Sequence, residues 1–419
     1  MVIGIEIPAH LPLCVRDPII TAHNFNSIFL FPKNSYFMRT SIYFSVLLIS
    51  ALTIFGCTKD QSSSTPDKTL APVDLVKAKQ DVQKILNDIQ AVHGTNTNVQ
   101  MRAAGQFIVV PAGSVDAIAQ AMKDAGISGV VYLRAGLHTE NTRLLISSST
   151  ILIGEDGAIL KVKSAPSVFD PNFVIPLNPA IHVLNAPNTA IGNISIQPID
   201  QDGSTGILFE NSAMSASMRN NFNNFQYSII VEKSDNPVII GNKIVASTLR
   251  TRGGVPFETG ILVMNGSSAW VAQNEASGNF VGIFLCDKYG TATQNYVHDN
   301  TEGIVLCRIL ENMFTLPSGQ LTGGLVTSSF WKINGNRSEN NLVAGFTVIN
   351  GSNGSILTNN PTTGNPVDFE LKGNTFILGT PVKASFNNTV NATSTQKIHD
   401  CGNNDIITGG ILDTATPCN

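Results

Sequence analysis

The sequence predicts an all-β solenoid, a coil of short strands stacked rung on rung. Three observations predict it. First, Glu258 to Arg308 holds three near-copies of one phrase: Gly260-Ile261-Leu262-Val263-Met264, Gly282-Ile283-Phe284-Leu285-Cys286 and Gly303-Ile304-Val305-Leu306-Cys307, with the glycines 22 and 21 residues apart. Second, another phrase falls between the copies, Gln273-Asn274-Glu275-Ala276 and then Gln294-Asn295-Tyr296-Val297. Third, so short a period leaves no room for a helix. Each unit reads as a short apolar strand, a polar turn, a second short strand and an Asn/Gly turn. Self-similarity at such a period marks a stacked repeat, in which each rung buries its apolar side chains against its neighbours. Asn at matching places on successive rungs can form a hydrogen-bonded ladder at the strand spacing of ~4.8 Å. An antiparallel sandwich is the alternative, but sandwiches do not repeat Gly and Asn in register.

The alternation of N-x-[IV] with G-I-x-[LV] in these residues resembles the right-handed parallel β-helix family, with its NosD-like and pectate-lyase-like repeats. The resemblance implies a right-handed, single-stranded parallel β-helix. Composition permits it. Of 419 residues 42% are apolar, ample for a core, and solenoids escape the prior of ~150 residues per domain. Charged residues are 13% and the net charge is −4, with no basic patch to suit nucleic acid and no acidic tail.

Along the chain, residues 1–37 carry Pro8, Pro12, Pro18 and Pro32 without a period and read as an artefactual or disordered leader, with Met38 the expected start. Met38-Arg39 opens a positive region, and an apolar run follows from Ile42 to Phe55. The run is shorter than the ~20 residues a membrane-spanning helix needs. It ends in Phe55-Gly56-Cys57, so residues 38–57 read as a secretory signal. The small residue before a cysteine resembles a bacterial lipoprotein signal, which implies lipidation of Cys57. Phe55 departs from that pattern. Residues 58–71 are rich in Ser, Thr and Pro and read as a tether. Lys59-Asp60 resembles the surface-export signal of Bacteroidetes lipoproteins, implying an outer-membrane, surface-exposed protein.

Residues 72–105 read as a helix and linker. Leu75, Ala78, Val82, Ile85, Ile89 and Val92 form one apolar stripe, suited to folding back on the body of the protein or to a weak coiled coil. The solenoid is expected over 106–400. Near its start Ser114 suits an N-cap, Asp116 a first turn and Gly126 a stop, with Val115, Ile118, Ala119 and Met122 on one face. This helix would cap the open end. The phrases Val130-Val131-Tyr132-Leu133, Ala135-Gly136-Leu137-His138 and Ile151-Leu152-Ile153-Gly154 resemble the first turns of pectate-lyase-like helices, where such a His is structural. Roughly a dozen rungs fit at ~22 residues each. Segments 164–179, 211–226 and 308–330 break the period and read as inserts.

There are six cysteines. Cys14 lies in the leader. Cys286 and Cys307 hold equivalent places on successive rungs, within disulfide range, although stacked free thiols fit equally. Cys401 and Cys418 flank a Gly/Asn-rich tail, 401–419, and should pair in an exported protein. No cysteine has the spacing of a zinc site, and no His/Met/Cys cluster suits copper, so neither metal nor cofactor is expected.

The family resembled includes polysaccharide lyases, glycoside hydrolases, epimerases and non-catalytic members. The calcium-binding Asp cluster and R-x-P-x-x-R-like phrase of pectate lyases are absent, as are the N-T-D, G-H-G and R-I-K phrases of polygalacturonases. One patch remains. Arg250, Arg252, Glu258, Asp287, Lys288, His298, Asp299, Glu302 and Arg308 surround the central rungs, with Tyr289, Tyr296, Trp270 and Trp331 near in sequence. Repeat alignment makes Asn265, Asp287 and Arg308 one outward ladder. Arg252 and His298 are the candidates for proton abstraction beside a uronate carboxylate, and Asp287, Lys288, Arg308, Tyr289 and Trp270 for sugar binding. The same residues also suit a solvated solenoid face, and Trp270 and Trp331 suit packing. Three functions follow: a lipid-anchored β-helix that binds polysaccharide or acts as a scaffold without catalysis, a lyase or hydrolase, and an adhesin using the inserts.

Overall fold

The structure, a computed structural model, describes residues 74–93, 105–164, 175–199, 205–246, 251–252, 255–256, 258–307, 314–318, 329–377 and 380–418. The leader, the signal segment with Cys57, and the tether lie outside them. The chain is a right-handed parallel β-helix of three sheets. Among the described residues, sheet 1 has 12 strands, from Phe107–Val110 to Ile406–Thr408; sheet 2 has 9, from Gly136–Glu140 to Thr362–Thr363; sheet 3 has 11, from Leu144–Ile146 to Ile411–Leu412. One rung visits them in turn, as Trp270–Ala272, Glu275–Ser277 and Val281–Lys288 do.

The G-I repeat is a packing device of sheet 3. Ile261, Ile283 and Ile304 stack in register at the core, each 0% exposed. The stack continues to Phe346 and Phe369, whose rings lie 5.1 Å apart. The glycine before each isoleucine is required by close approach. A Cβ on Gly260, Gly282 or Gly303 would lie 2.5, 2.8 or 2.3 Å from the carbonyl oxygen of the glycine one rung on. Any larger residue would push the rungs apart.

The Q-N repeat is the turn from sheet 1 to sheet 2. Arg219, Gln273, Gln294 and Asn359 adopt left-handed φ of 53° to 55°, as do Gly241 and Gly335 at 65° and 68°. Each is followed by a buried Asn, and Asn220, Asn242, Asn274, Asn295, Asn336 and Asn360 form a ladder. Asn279, Asn300, Asn341 and Asn365 form a second ladder where sheet 2 passes to sheet 3. These amides satisfy backbone groups that the tight turns take away from the sheets.

The apolar stripe of Leu75–His93 folds onto the body. Ala78, Val82, Ile85, Leu86 and Ile89 pack on the outer face of sheet 1 against Val130, Tyr132, Ile151, Ile153 and Met218. The capping helix starts later than its sequence suggests, at Ile118, and runs to Ala125. Ser114 is spent on Pro111 O, and Asp116 is left-handed at φ 52°. The cap comes instead from the strand beneath, where Glu140 Oε1 accepts the Ile118 N–H at 2.7 Å. His138 is fully buried, with Nε2 2.8 Å from Arg134 O, a structural role.

Segment 211–226 is not an insert but a regular rung, with strands Ala216–Met218 and Asn221–Asn223. Its strands are too short and polar to register as apolar runs. Of the other two inserts, Ile175–Pro176 pairs in parallel with Phe314–Thr315. Beside that pair, Leu177 and Leu316 pack on the outer face of sheet 3 with Leu208, Ile230, Leu262, Met264, Cys286 and Cys307. The tail also continues the solenoid, since Ile406–Thr408 extends sheet 1 and Ile411–Leu412 extends sheet 3.

Candidate functional site

The predicted patch divides among three surfaces. Asp287 is the last residue but one of the sheet 3 strand Val281–Lys288, and it does not face outward. It is 0% exposed, with its carboxylate on the Lys288 N–H and its carbonyl accepting the Trp331 indole N–H at 2.8 Å. Burial pushes its carboxyl up to about 7, against the pull of that backbone N–H. The expected outward ladder therefore fails at Asp287. Its partner Asn265 turns to Glu232, donating Nδ2 to both carboxylate oxygens at 3.0 and 2.9 Å. A register shift between Met264 and Ser267 breaks the alignment on which the ladder rested. Arg308 lies outside the described residues. Arg252 lies in a short antiparallel pair, Thr251–Arg252 with Val255–Pro256, on the loop between sheets 2 and 3, and its side chain lies outside the described residues.

His298 belongs to the outer face of sheet 2. Cross-strand register places Glu275, Tyr296 and Arg337 in one row and Ser277, His298 and Glu339 in the next. The His298 ring stacks on Tyr296 at 4.3 Å, and the Arg337 guanidinium sits 4.7 Å over the same tyrosine. Tyr296 Oη donates to Glu339 at 2.8 Å, Arg337 Nε to Glu339 at 2.6 Å, and Lys243 Nζ lies 3.1 Å from Glu275. His298 Nδ1 is 2.7 Å from Asp299. Hydrogen bonding from Arg337 holds Glu339 below the usual carboxylate range, and the bond to Glu339 raises the Tyr296 phenol. The charges of this face neutralise one another across rungs, as cross-strand pairs do.

Lys288 and Tyr289 stand at the corner between sheets 3 and 1, and Trp270 opens the sheet 1 strand one rung before. A single left-handed residue opens the turn into nine of the sheet 1 strands. Asn188, Met214, Asn236, Ser268, Gly354, Asn387 and Asn404 hold that place on other rungs. Tyr289 and Phe330 hold it here, at φ 60° and 46°. Left-handed backbone costs a bulky side chain ~1 kcal/mol, which Asn or Gly largely avoids. Both rings stay exposed, at 57% and 43%, and they stack at 5.3 Å with planes 2° apart. Gly354 makes the room, since a Cβ there would lie 2.3 Å from the Phe330 ring. Trp270 is half-buried and Lys332 exposed in one register row of sheet 1, two rungs apart through Thr291. Trp331 packs in the core, 0% exposed, in space that Gly290 leaves.

Phe330 was not legible from the chain, because it closes a segment read as an insert. Aligning Phe330-Trp331-Lys332 with Tyr289-Gly290-Thr291 would have found it. The sequence also missed a cavity of ≈330 Å³ near the end of sheet 3, lined by Glu370, Lys372, His399, Cys401, Asp413 and Thr416 among others. Glu370 pairs with Lys372. Glu302, on the same sheet two rungs before the strand of Glu370, is pushed up by burial.

Both cysteine pairs are bridged, Cys286–Cys307 in the apolar layer over sheet 3 and Cys401–Cys418 at the last rung. The expectation of no metal-ligand cluster rested on spacing along the chain. The tail folds back, so His399, Cys401 and Cys418 place ligand atoms within 4.8 Å of one another.

A family model described as periplasmic copper-binding protein (NosD) matches residues 128–316. No curated protein matches the chain. Among solved structures, an exopolygalacturonase from Thermotoga maritima aligns over 81% of this chain and 96% of its own, at 11% identity and a TM-score of 0.47. PfbA, a surface adhesin of Streptococcus pneumoniae, aligns over 71% and 87% at 12% identity and 0.41. An alginate lyase from Paenibacillus sp. str. FPU-7 aligns over 74% and 99% at 12% identity and 0.40. At such identities the likeness is one of fold.

Proposed function

We propose that this right-handed parallel β-helix is an exported, lipid-anchored envelope protein that binds polysaccharide on its outer surface without catalysing a reaction. The observation that carries the reading is the Tyr289–Phe330 pair. Two aromatic rings are kept exposed at a corner where left-handed backbone favours Asn or Gly, and strain retained at an exposed position points to a role outside folding. The π face of an aromatic ring is negative and attracts the weakly positive C–H face of a sugar. Lys288, next to Tyr289 in the chain, supplies a cation, and Trp270, in register with Thr291 one rung away, a further indole. The paired charges around His298 suit a stable surface better than an acid–base couple. Export is supported by two disulfides, by the signal-like segment 38–57 and by the periplasmic description of the matched family model.

The test is a binding panel of neutral and acidic glycans, with turnover followed on the same panel. Binding without turnover is expected. A second reading, a lyase or hydrolase, is favoured by the cavity at the end of sheet 3, with Glu370, Lys372 and His399 on its wall. Cleavage of any glycan in the panel, lost in Glu370→Gln, would establish it instead.

A further inference from the structure

The last rung gathers three soft donors around one point. His399 Nε2 lies 3.3 Å from Cys401 Sγ, and Cys401 is bridged to Cys418 with their Cα atoms 5.4 Å apart. His399 lies on the sheet 3 strand Lys397–Asp400, with Cys401 directly after it. Cys418 lies on the terminal segment, which is also held by bonds other than the disulfide. Ile411 N donates to Gln396 O and Asp413 N to Ile398 O, each at 2.7 Å. The Asp413 carboxylate then closes a turn, accepting from Ala415 N at 2.9 Å and from Thr416 Oγ1 at 2.6 Å. Opening the S–S bond therefore leaves both sulfurs beside His399.

The other ring nitrogen of His399 is also provided for. Nδ1 lies 3.8 Å from Glu370 Oε1, an ion-pair contact, while Nε2 also lies 3.2 Å from Thr416 O, a contact that a bound cation would replace. A metal-bound histidine generally donates its second N–H to a carboxylate, which fixes the tautomer and frees the opposite lone pair. Here that carboxylate stands on the neighbouring strand, in register with His399.

We propose that reduction of the Cys401–Cys418 disulfide opens a binding site for a thiophilic d10 cation, Cu(I) or Zn(II), with Cys401 Sγ, Cys418 Sγ and His399 Nε2 as ligands and Glu370 orienting the imidazole. Two thiolates and one imidazole are a soft donor set, which selects these ions over Mg²⁺ or Ca²⁺. Zn(II), which takes four ligands, would keep one position open. The reduction balances with a dithiol. The S–S bond takes up two electrons and two protons, and the dithiol is oxidised to its own disulfide. The two thiols then release their protons to solvent as the cation binds. In the oxidised form neither sulfur is a thiolate, so the site is closed. The other disulfide is set apart by burial, with Cys286 and Cys307 each 1% exposed.

The test uses the full chain, reduced with a phosphine and desalted without oxygen. It is titrated with Cu(I) against a chromophoric copper(I) chelator and, separately, with Zn(II) against a zinc chelator; the tighter of the two identifies the ion. Alkylation followed by mass measurement reports which disulfide opened. One equivalent should bind the reduced protein and none the oxidised protein. Cys418→Ser should abolish binding, His399→Ala should weaken it tenfold or more, and Glu370→Gln should weaken it about tenfold. The proposal is overturned if Cys418→Ser binds as much metal as the reduced parent, or if His399→Ala binds as tightly.

Discussion

Asn295 donates its side-chain N–H to Asn336 Oδ1 across 2.8 Å, joining residues 41 apart in sequence on successive rungs of one turn. The same amide donates to Val271 O at 2.9 Å, and its oxygen accepts from Asn274 N at 3.0 Å and Asn274 Nδ2 at 2.9 Å. Asn295 is buried, so Asn295→Ala strands several polar groups away from water. An unsatisfied buried group costs ~1–3 kcal/mol. Denaturant unfolding should show a loss of about 2–4 kcal/mol. A loss below about 0.5 kcal/mol, the size of an ordinary surface change, would mean the ladder is ornamental.

Ile283 is in register with Ile261 on one side and Ile304 on the other, and all three are fully buried. Ile283→Ala should cost ~2–5 kcal/mol, because a packed core collapses only partly into the space left. The midpoint of chemical unfolding measures it. Gly282→Ala, which forces a Cβ to 2.8 Å from the Gly303 carbonyl, should also destabilise, by ~1–3 kcal/mol.

The aromatic corner separates stability from binding. Phe330→Asn replaces a strained bulky residue with one that tolerates left-handed backbone, so unfolding should move by less than ~1 kcal/mol in either direction. Tyr289→Ala should likewise leave the fold intact. Both should weaken glycan binding tenfold or more by calorimetry, about 1.4 kcal/mol. Unchanged affinity in both variants would remove the corner from the binding surface.

Stability should fall as pH rises. Burial pushes Glu232 and Asp287 up to about 7, against ~4 for free carboxyls. From about pH 4 to about pH 7 the folded chain keeps protons that the unfolded chain has released. The groups therefore give a stabilising contribution that is full below about pH 4 and is lost as pH rises to about 7. The unfolding free energy should be higher at pH 5 than at pH 8, by on the order of 1–3 kcal/mol. Asp287→Asn and Glu232→Gln, which hold the neutral form, should flatten the slope. A slope equally steep in both variants would place its origin elsewhere.

Anchoring is tested by fractionation. Cys57→Ser should release the protein from membranes after a salt wash and leave its unfolding curve unchanged. Continued membrane association would refute lipidation at Cys57.

The sequence by itself determined the architecture. A 21–22-residue period and repeated Gly and Asn already specify stacked rungs, because a packed strand and a tight turn each tolerate few residue types. Tyr289, Lys288 and Trp270 could be singled out from the chain as a charge and aromatics gathered around the central repeats. Tertiary structure alone decided how neighbouring strands line up. Asp287 turns inward with Ile283 and Leu285 by simple alternation along its strand, but an extra residue in the adjacent strand between Met264 and Ser267 takes Asn265 out of line with it. It also decided which distant residues meet. Phe330 reaches Tyr289, and His399 and Cys401 reach Cys418, only because rungs stack at the strand spacing, so residues far apart along the chain become neighbours.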